Sequence, residues 1–384
     1  MRLAIITTHP IQYYAPVFKQ LARQVDVKVF YTWGEASIAK HDPGFGKTIQ
    51  WDIDLLDGYD YQWLNNTAAD PGSHHFNGIV NPDIIDSIEA WQPDTILVYG
   101  WAYKSHLQVL RHFKNKLPVL FRGDSILLDE KPGLKNMIRS LYLKWVYKHV
   151  DYALYTGLNN RAYFKKYGLQ NKQLVFAPHA VDNDRFAITR DKEVAYLKQQ
   201  LNINADSLLI LFAGKLEYKK DPALLLKSFI NLGAANVHLL FVGNGVLSSQ
   251  LKQQANAYPN IHFMDFQNQT YMPVIYQACD IFCLPSKGPG ETWGLAVNEA
   301  MACGKPVLVS DKVGCAADLV KNNINGYIHK AASVTDITEK LASMVSSGKF
   351  ALAQMGKNSK QIIEQWNFTI QANNIINYKN GRNQ

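Results

Sequence analysis

Two glutamates eight positions apart, Glu291 and Glu299, stand in the stretch GETWGLAVNEAMACGKPV at residues 290–307. Glu291 follows the turn Gly288-Pro289-Gly290. Glu299 lies in a run of small and apolar residues that reads as a helix from Leu295 to Cys303, ended by Gly304 and Pro306. No Lys or Arg falls within a helical turn of Glu299. A buried carboxylate needs hydrogen-bond donors, and the two hydroxyls of a ribose would supply them. The plain alternatives are a solvated Glu on a good helix former for Glu299, and for Glu291 a carboxylate favouring the helix dipole. The N–H groups of Thr292, Trp293, Gly294, Leu295 and Ala296 fall at a helix start preceded by glycines, which is the chemistry of an anion site.

A second stretch, FAGKLEYKKDPALLLKSF at 212–229, ends an apolar run at Gly214. It places Lys215 and Lys220 on the following loop and opens a helix with Asp221-Pro222. Two lysines five residues apart at a sheet edge can bracket a diphosphate; Lys219 is the weaker candidate, and a solvated charge cluster is the alternative. FVGNGVL at 241–247 adds a glycine turn at Gly243. Gly-Asn-Gly alone says little. Three glycine turns, two lysines and a helix start at successive strand ends together describe a phosphate-binding edge.

These loops need a sheet to hold them. Short β-branched runs alternate with helical patterns: residues 3–7, 27–32, 94–100, 117–123, 151–156 and 173–178, then 208–214, 237–243, 261–266, 280–285 and 305–310. Apolar runs of this length separated by helices predict parallel strands covered on both faces, hence an α/β chain of doubly wound sheets. The polar stretch 186–206 predicts the break. We place an N-terminal Rossmann-like domain at 1–185 and a second at 186–365, with the tail 366–384 returning to the first as a helix.

The 384 residues, 47% apolar and 19% charged, suit a globular chain of two domains. The opening MRLAIITTHP is too short an apolar run for a signal peptide, and no stretch reaches the ~18–20 apolar residues of a membrane span; a cytoplasmic chain is expected. Cys279, Cys283, Cys303 and Cys315 sit among apolar or small residues and read as buried thiols, not as a disulfide framework or zinc site. The net charge of +8 is uneven: residues 104–190 are strongly basic, whereas 51–100 contain no Lys or Arg. A basic face attracts phosphates, anionic lipid or nucleic acid. No zinc-finger spacing, aromatic RNP-like strand or basic-region helix is present, so nucleic acid is not expected as a partner.

In order and spacing, five elements carry a family likeness: Gly214-Lys215-Leu216 with Lys220-Asp221-Pro222, Gly243-Asn244-Gly245, CDIFCLPS, the Glu291-x7-Glu299 pair, and VGCAADLVKNNINGYI. With them the second domain resembles the family 4, or group 1, glycosyltransferases of the GT-B fold. The resemblance implies two Rossmann-like doubly wound domains facing each other across a cleft. It implies metal-independent transfer of a sugar, with retention, from a nucleotide-diphosphate sugar to an acceptor hydroxyl, with no further cofactor. Lys215 and Lys220 would then meet the phosphates, Glu291 the donor sugar and Glu299 the ribose hydroxyls. The amides around Gly294 and Leu295 would meet diphosphate and sugar. The base pocket is implied near FMDFQNQ, Phe263 to Gln269, with Phe266 and Gln267 as its contacts and Asp265 replacing a frequent Gly. A glycan or lipid-linked acceptor and a role in cell-surface polysaccharide assembly are expectations at the level of the family. The run PHAVDNDRF (178–186) resembles the segment that joins the two domains.

The first domain gives weaker signals. In THPIQYYAPVFKQL (8–21), His9, Gln12, Tyr13 and Tyr14 follow a strand end. They replace the Gly-rich loop of many members and resemble the His-Pro-Ile-Gln-Tyr loop of some; sugar or acceptor contacts are implied, with packing as the alternative. In VLFRGDSILL (119–128), Asp124 stands where many members carry a histidine near the donor sugar, flanked by Arg122 and Ser125. Asp124 would accept a sugar hydroxyl or steady positive charge; a structural Arg122–Asp124 pair is the alternative. GWAYKSH offers Trp101, Lys104 and His106. Asp52 and Asp54 look like the metal-binding Asp-x-Asp of another glycosyltransferase architecture, but the alternation around them predicts a strand edge. The basic run 134–150 reads as a helix covering the sheet, with peripheral contact to an anionic membrane, at its inner face, as the alternative. A sugar-nucleotide epimerase and a non-catalytic nucleotide- or glycan-binding protein remain open. An NAD enzyme is disfavoured because no Gly-x-Gly-x-x-Gly follows the first strand.

Overall fold

Apolar runs five or six residues long form the middle strands of two parallel sheets. The computed structural model describes residues 1–39, 41–42, 47–48 and 50–379. In chain order the elements are β1 (Arg2–Thr7), α1 (Ala15–Ala22), β2 (Asp26–Tyr31), the two-residue strands β3 (His41–Asp42) and β4 (Lys47–Thr48), β5 (Asp60–Trp63), α2 (Ile84–Ala90), β6 (Thr95–Tyr99), α3 (Lys104–Phe113), β7 (Val119–Arg122), α4 (Leu134–Tyr147), β8 (Tyr152–Tyr155), α5 (Leu158–Lys166) and β9 (Leu174–Phe176). After α6 (Asn183–Ala187) and α7 (Asp191–Gln200) the alternation resumes with β10 (Leu208–Ala213), α8 (Pro222–Leu232), β11 (Val237–Val242), α9 (Ser248–Ala255), β12 (Ile261–Met264), α10 (Met272–Ala278), β13 (Ile281–Leu284), α11 (Leu295–Ala302), β14 (Val307–Ser310), α12 (Ala316–Leu319), β15 (Gly326–His329), α13 (Val334–Ile363) and α14 (Phe368–Ile376).

The chain forms two compact units, Met1–Lys40 with Ile53–His179 and Phe368–Gln384, and His41–Asp52 with Ala180–Asn367. In the first, the strand order is β5-β2-β1-β6-β7-β8-β9, all parallel. Alternate residues of β1 feed opposite layers, as a strand's two-residue period requires. Ala4 and Ile6 join Val98, Phe121, Val109 and Leu143 on one face. Leu3 and Ile5 join Val17, Phe18 and Leu21 of α1 and Ala372 and Ile375 of α14 on the other. In the second unit the order is β12-β11-β10-β13-β14-β15, again parallel, with LLILFA of β10 buried throughout. Both units are doubly wound α/β sheets.

Several local expectations are corrected. Residues 51–56 are not a strand: Asp54 Oδ1 accepts the N–H groups of Leu56 (2.9 Å) and Asp57 (3.2 Å) in a turn, and the strand comes later, at β5. Segment 41–52 belongs with the second unit, because Asn268 Nδ2 donates to Gln50 O at 2.7 Å and Thr270 N donates to Asp52 Oδ2 at 3.1 Å. The units divide after His179, where the sequence reading divides after 185. Asn183 Nδ2 donates to Ile363 O and Trp366 O (3.2 Å each), and Phe186 packs on Tyr276, which ties α6 to the second unit. Only part of α4 covers the sheet. Leu143, Val146 and Tyr147 are buried, and its other large apolar side chains are exposed.

Strand order reverses between β1 and β6 in the first unit and between β10 and β13 in the second. Open α/β sheets bind ligands at such points, outside the carboxyl ends of the strands. A cavity of about 480 Å³ lies at the other edge of the first sheet, lined by Asn115, Lys116, Asp151, Lys172 and Gln173 just ahead of β7, β8 and β9. The same rule gives it no part in the site. Among the described residues, no helix is long and apolar enough to cross a membrane.

Candidate functional site

The second unit's switch point brings the loop after β10 to the loop after β13. Gly214 follows β10, and the backbone of Gly243, after β11, crosses it so closely that a Cβ on Gly243 would stand 2.1 Å from Gly214 O. Lys220 and Glu291, 71 positions apart in sequence, meet here: Lys220 Nζ lies 2.5 Å from Glu291 Oε2. Ser286 Oγ donates to the same oxygen at 2.9 Å. Glu291 is 6% exposed, so its carboxylate is satisfied by a cation and a hydroxyl inside the fold. Lys215 is half-buried on the same loop. Lys219 instead faces Glu217 at 3.5 Å, and Lys287 lies 3.2 Å from Asp221 Oδ1.

Four residues after Glu291 comes α11. Its N-cap is Gly294 at φ +96°, a left-handed position, with no side-chain cap on the helix start. A Cβ there would also stand 2.8 Å from Val313 Cγ1. Trp293 is buried, its indole N–H donating to Asn298 Oδ1 at 2.8 Å, which leaves main chain rather than side chain to act at this position. Thr292 and Leu295 are half-buried. Glu299, 4% exposed, accepts a hydrogen bond from Tyr276 Oη at 2.7 Å. It is therefore no solvated helix residue; a neutral hydroxyl from α10 supplies the donor that no local cation provides.

The loop after β12 is tied to the Gly243 turn by Asn244, whose Nδ2 donates to Asp265 Oδ1 (3.0 Å) and whose Oδ1 accepts from Phe266 N (2.7 Å). Asp265 thus takes a bracing role where the resemblance leads one to look for Gly. Phe266 and Gln267 are half-buried, and the Trp51 ring lies 6.3 Å from that of Phe266. The four cysteines are free thiols. Burial pushes Cys279 up to about 12 and raises the other three as well, so all stay protonated near neutrality.

In the first unit, Asp124 follows β7. His179 Nε2 lies 3.1 Å from Asp124 Oδ1, and Tyr14 Oη donates to Oδ2 at 3.2 Å. Arg122 reaches His179 Nδ1 (3.3 Å) and donates to Ala177 O (2.7 Å). A guanidinium only donates, so Nδ1 must accept and Nε2 carries the hydrogen toward Asp124. Burial raises the Asp124 carboxyl, but its contact with His179, the nearby Arg122 charge and the Tyr14 hydrogen bond outweigh it and hold the group well below the usual carboxylate range. Arg122 and Asp124 are therefore bridged by His179 rather than paired directly. Arg122, only 1% exposed, braces that histidine and does not face a sugar.

His9 contacts Thr8 Oγ1 (2.8 Å) and stands edge-on to Trp33, while Gln12 and Tyr13 are half-buried on the same loop. His106 is structural: it is buried, with Nδ1 3.0 Å from Tyr99 O and Nε2 2.8 Å from Thr32 Oγ1, and burial lowers it to about 4. Trp101 packs on Tyr142, and Lys104 is exposed. Sequence reasoning missed His179, Tyr276, Ser286 and Trp51. His179 was legible only as part of the joining segment and Ser286 only as the end of CDIFCLPS, while Tyr276 and Trp51 carried no local signal. Among the described residues, Asp70, His74 and His75 form the one group of three that brings metal-ligating atoms within 4.8 Å of one another, all exposed on the first unit.

Two doubly wound parallel units in one chain, the second with a lysine–glutamate pair and an uncapped helix start at its switch point, define the GT-B fold. Residues 194–362, within the second unit, match the model of the glycosyl transferases group 1. It is similar to the N,N'-diacetylbacillosaminyl-diphospho-undecaprenol alpha-1,3-N-acetylgalactosaminyltransferase of Campylobacter jejuni, 25% identical over 257 residues, 62% of each chain. It is similar also to the lipopolysaccharide 1,2-N-acetylglucosaminetransferase of Salmonella typhimurium, 31% identical over 163 residues, 38% of this chain and 42% of that one. The chain spans about half the length of the curated relatives it matches. Among solved structures, Anabaena Alr3699/HepE in complex with UDP and glucose shares the fold with a TM-score of 0.73 at 17% identity, covering 98% of this chain and 99% of that one.

Proposed function

We propose that the chain is a retaining glycosyltransferase that moves a sugar from a nucleotide-diphosphate donor to an acceptor hydroxyl without a divalent ion. The observation that carries this reading is the Lys220–Glu291 pair at the β10/β13 switch point, next in sequence to the uncapped start of α11. In the reaction, the bond between the anomeric carbon and the diphosphate oxygen breaks, and its electron pair leaves with the phosphate. The acceptor oxygen bonds the same face of that carbon and passes its proton to the departing phosphate. Negative charge grows on the diphosphate, where Lys215, Lys220 and the main-chain N–H groups of Gly294 and Leu295 meet it. A preorganised donor in a dry site is worth ~3–4 kcal/mol, a helix start alone ~0.3–2 kcal/mol. The lysines therefore supply most of the stabilisation.

Glu291, already engaged by Lys220 and Ser286, orients the sugar and does not attack it. Glu299, steadied by Tyr276, receives the ribose hydroxyls; Phe266 and Gln267, with Trp51, flank the base. In the first unit, Asp124 is kept anionic to accept a sugar hydroxyl, and His9, Gln12 and Tyr13 are assigned to sugar or acceptor. A glycan or lipid-linked acceptor in cell-surface polysaccharide assembly is supported by the names of the Campylobacter and Salmonella relatives.

The test is release of nucleoside diphosphate from UDP-, GDP- and dTDP-sugars with an acceptor pool, in the presence of a chelator, with the anomeric configuration of the product read by NMR. Acceptor-dependent release with retention is expected. Conversion of the donor with no acceptor would make the protein an epimerase, and binding without release would make it a non-catalytic binder.

A further inference from the structure

Helix α4 turns only Leu143, Val146 and Tyr147 of its apolar residues into the first unit. Leu134, Met137, Ile138, Leu141, Tyr142 and Trp145 face solvent, from 69% exposed at Leu134 through 64% at Leu141 to 38% at Trp145. Steps of three and four residues put all six on one face of the helix. A contiguous apolar ridge of this kind marks an interaction surface rather than the scatter of single apolar residues found on any protein.

The charges around the ridge identify what it meets. Between 131 and 150 the chain carries Lys131, Lys135, Arg139, Lys144 and Lys148, all exposed, and no Asp or Glu. Of the two acids just before them, Asp129 and Glu130, Glu130 is nearly buried and engaged by Arg139, Lys166 and Tyr167. An apolar face rimmed by cations, with its neighbouring carboxylate neutralised, complements a surface that is apolar within and anionic at its boundary. Fourteen residues are too few to span a bilayer, so the helix would lie in the plane of the interface.

We propose that α4 docks the first unit on an anionic lipid bilayer, with these six side chains at the boundary between headgroups and acyl chains. Residues 125–133 join Asp124 to this helix, so the docking element is continuous in sequence with the loop that carries the candidate sugar-side carboxylate. The docking rests on α4 alone and stands whether or not the reaction proposed above is right.

The test is flotation of the full chain with vesicles of phosphatidylglycerol and phosphatidylcholine at about 3:7, against phosphatidylcholine alone. Binding is expected to the anionic vesicles, to weaken with salt, and to fall by about tenfold or more in both Ile138→Ser/Leu141→Ser and Lys135→Ala/Lys144→Ala. Equal binding to neutral vesicles, or full binding by the Ile138→Ser/Leu141→Ser variant, would overturn the proposal. So would a dimer in sedimentation that this variant dissociates while no vesicle binds, since the ridge would then seat a second copy of the chain. Should that variant not fold, quenching of tryptophan emission by brominated lipid decides. Quenching that disappears in Trp145→Phe supports the docking, and quenching unchanged in that variant refutes it.

Discussion

Glu291→Gln separates the two roles that meet at the lysine–glutamate pair. Lys220 Nζ is 2.5 Å from Glu291 Oε2, so the lysine's charge is offset before any ligand arrives. A diphosphate oxygen bonded to Nζ would sit about 3 Å from it and therefore about 5 Å from the carboxylate. Two unit charges at ~5 Å repel by roughly 3 kcal/mol at an effective dielectric of about 20. The Lys220 side chain is 18% exposed; solvent screening and the lysine between the two charges reduce the repulsion, we estimate by about half. Gln keeps the side chain's volume and an oxygen for the Ser286 hydroxyl, and removes the charge. Binding of the nucleoside diphosphate that the release assay selects should then tighten by about tenfold, or ~1.4 kcal/mol, while sugar transfer falls because the sugar is no longer held. Calorimetric titration of that nucleotide into wild type and Glu291→Gln, with a chelator present, measures the first; steady-state transfer measures the second. Nucleotide affinity that drops, or that stays within about twofold, would refute the idea that Lys220 meets the diphosphate beside this carboxylate.

Other outcomes follow from the same geometry. Lys220→Ala should lower turnover by about a hundredfold or more at saturating donor, read by nucleotide release; near-normal turnover would remove Lys220 from the phosphate site. Glu299→Ala should weaken nucleotide binding more than the chemical step. Tyr276→Phe, which takes a donor from a buried carboxylate, should cost about 1–3 kcal/mol of stability by denaturant titration. His106, lowered by burial to about 4, stays neutral in the folded chain while the unfolded chain takes up a proton below its ordinary pKa of 6.5. Stability should therefore be intact above pH 6.5 and fall by roughly 3 kcal/mol as pH drops toward 4. His106→Gln should flatten that limb in melting curves, and an unchanged slope would assign it elsewhere.

Strands buried on both faces were the easiest to read. The runs LLILFA in β10 and VHLLFV in β11 have no polar alternation to confuse with helix, and glycines mark their ends. The edge strand β5, with the sequence DYQW and only half buried, lacks that signature, and the alternation of WDIDLL mimicked a strand that Asp54 turns into a bend. The candidate phosphate edge was legible because its parts are backbone turns and cations at fixed distances from strand ends. The partners were not. Glu299 finds Tyr276 23 positions away, and Asp124 finds His179 at 55, contacts set by the stacking of elements rather than by spacing along any one of them. The exposure of α4 was equally hidden. Its apolar residues fit a covering helix, and only the packed unit reveals which face was left outside.

The most direct test of the central claim is a crystal structure of the chain with the nucleoside diphosphate that the release assay selects. The account predicts its diphosphate at the carboxyl ends of β10 and β13, with oxygens about 3 Å from Lys215 Nζ, Lys220 Nζ and the first N–H groups of α11. A diphosphate bound at any other place, or one held through magnesium or manganese chelated by carboxylates, would contradict it.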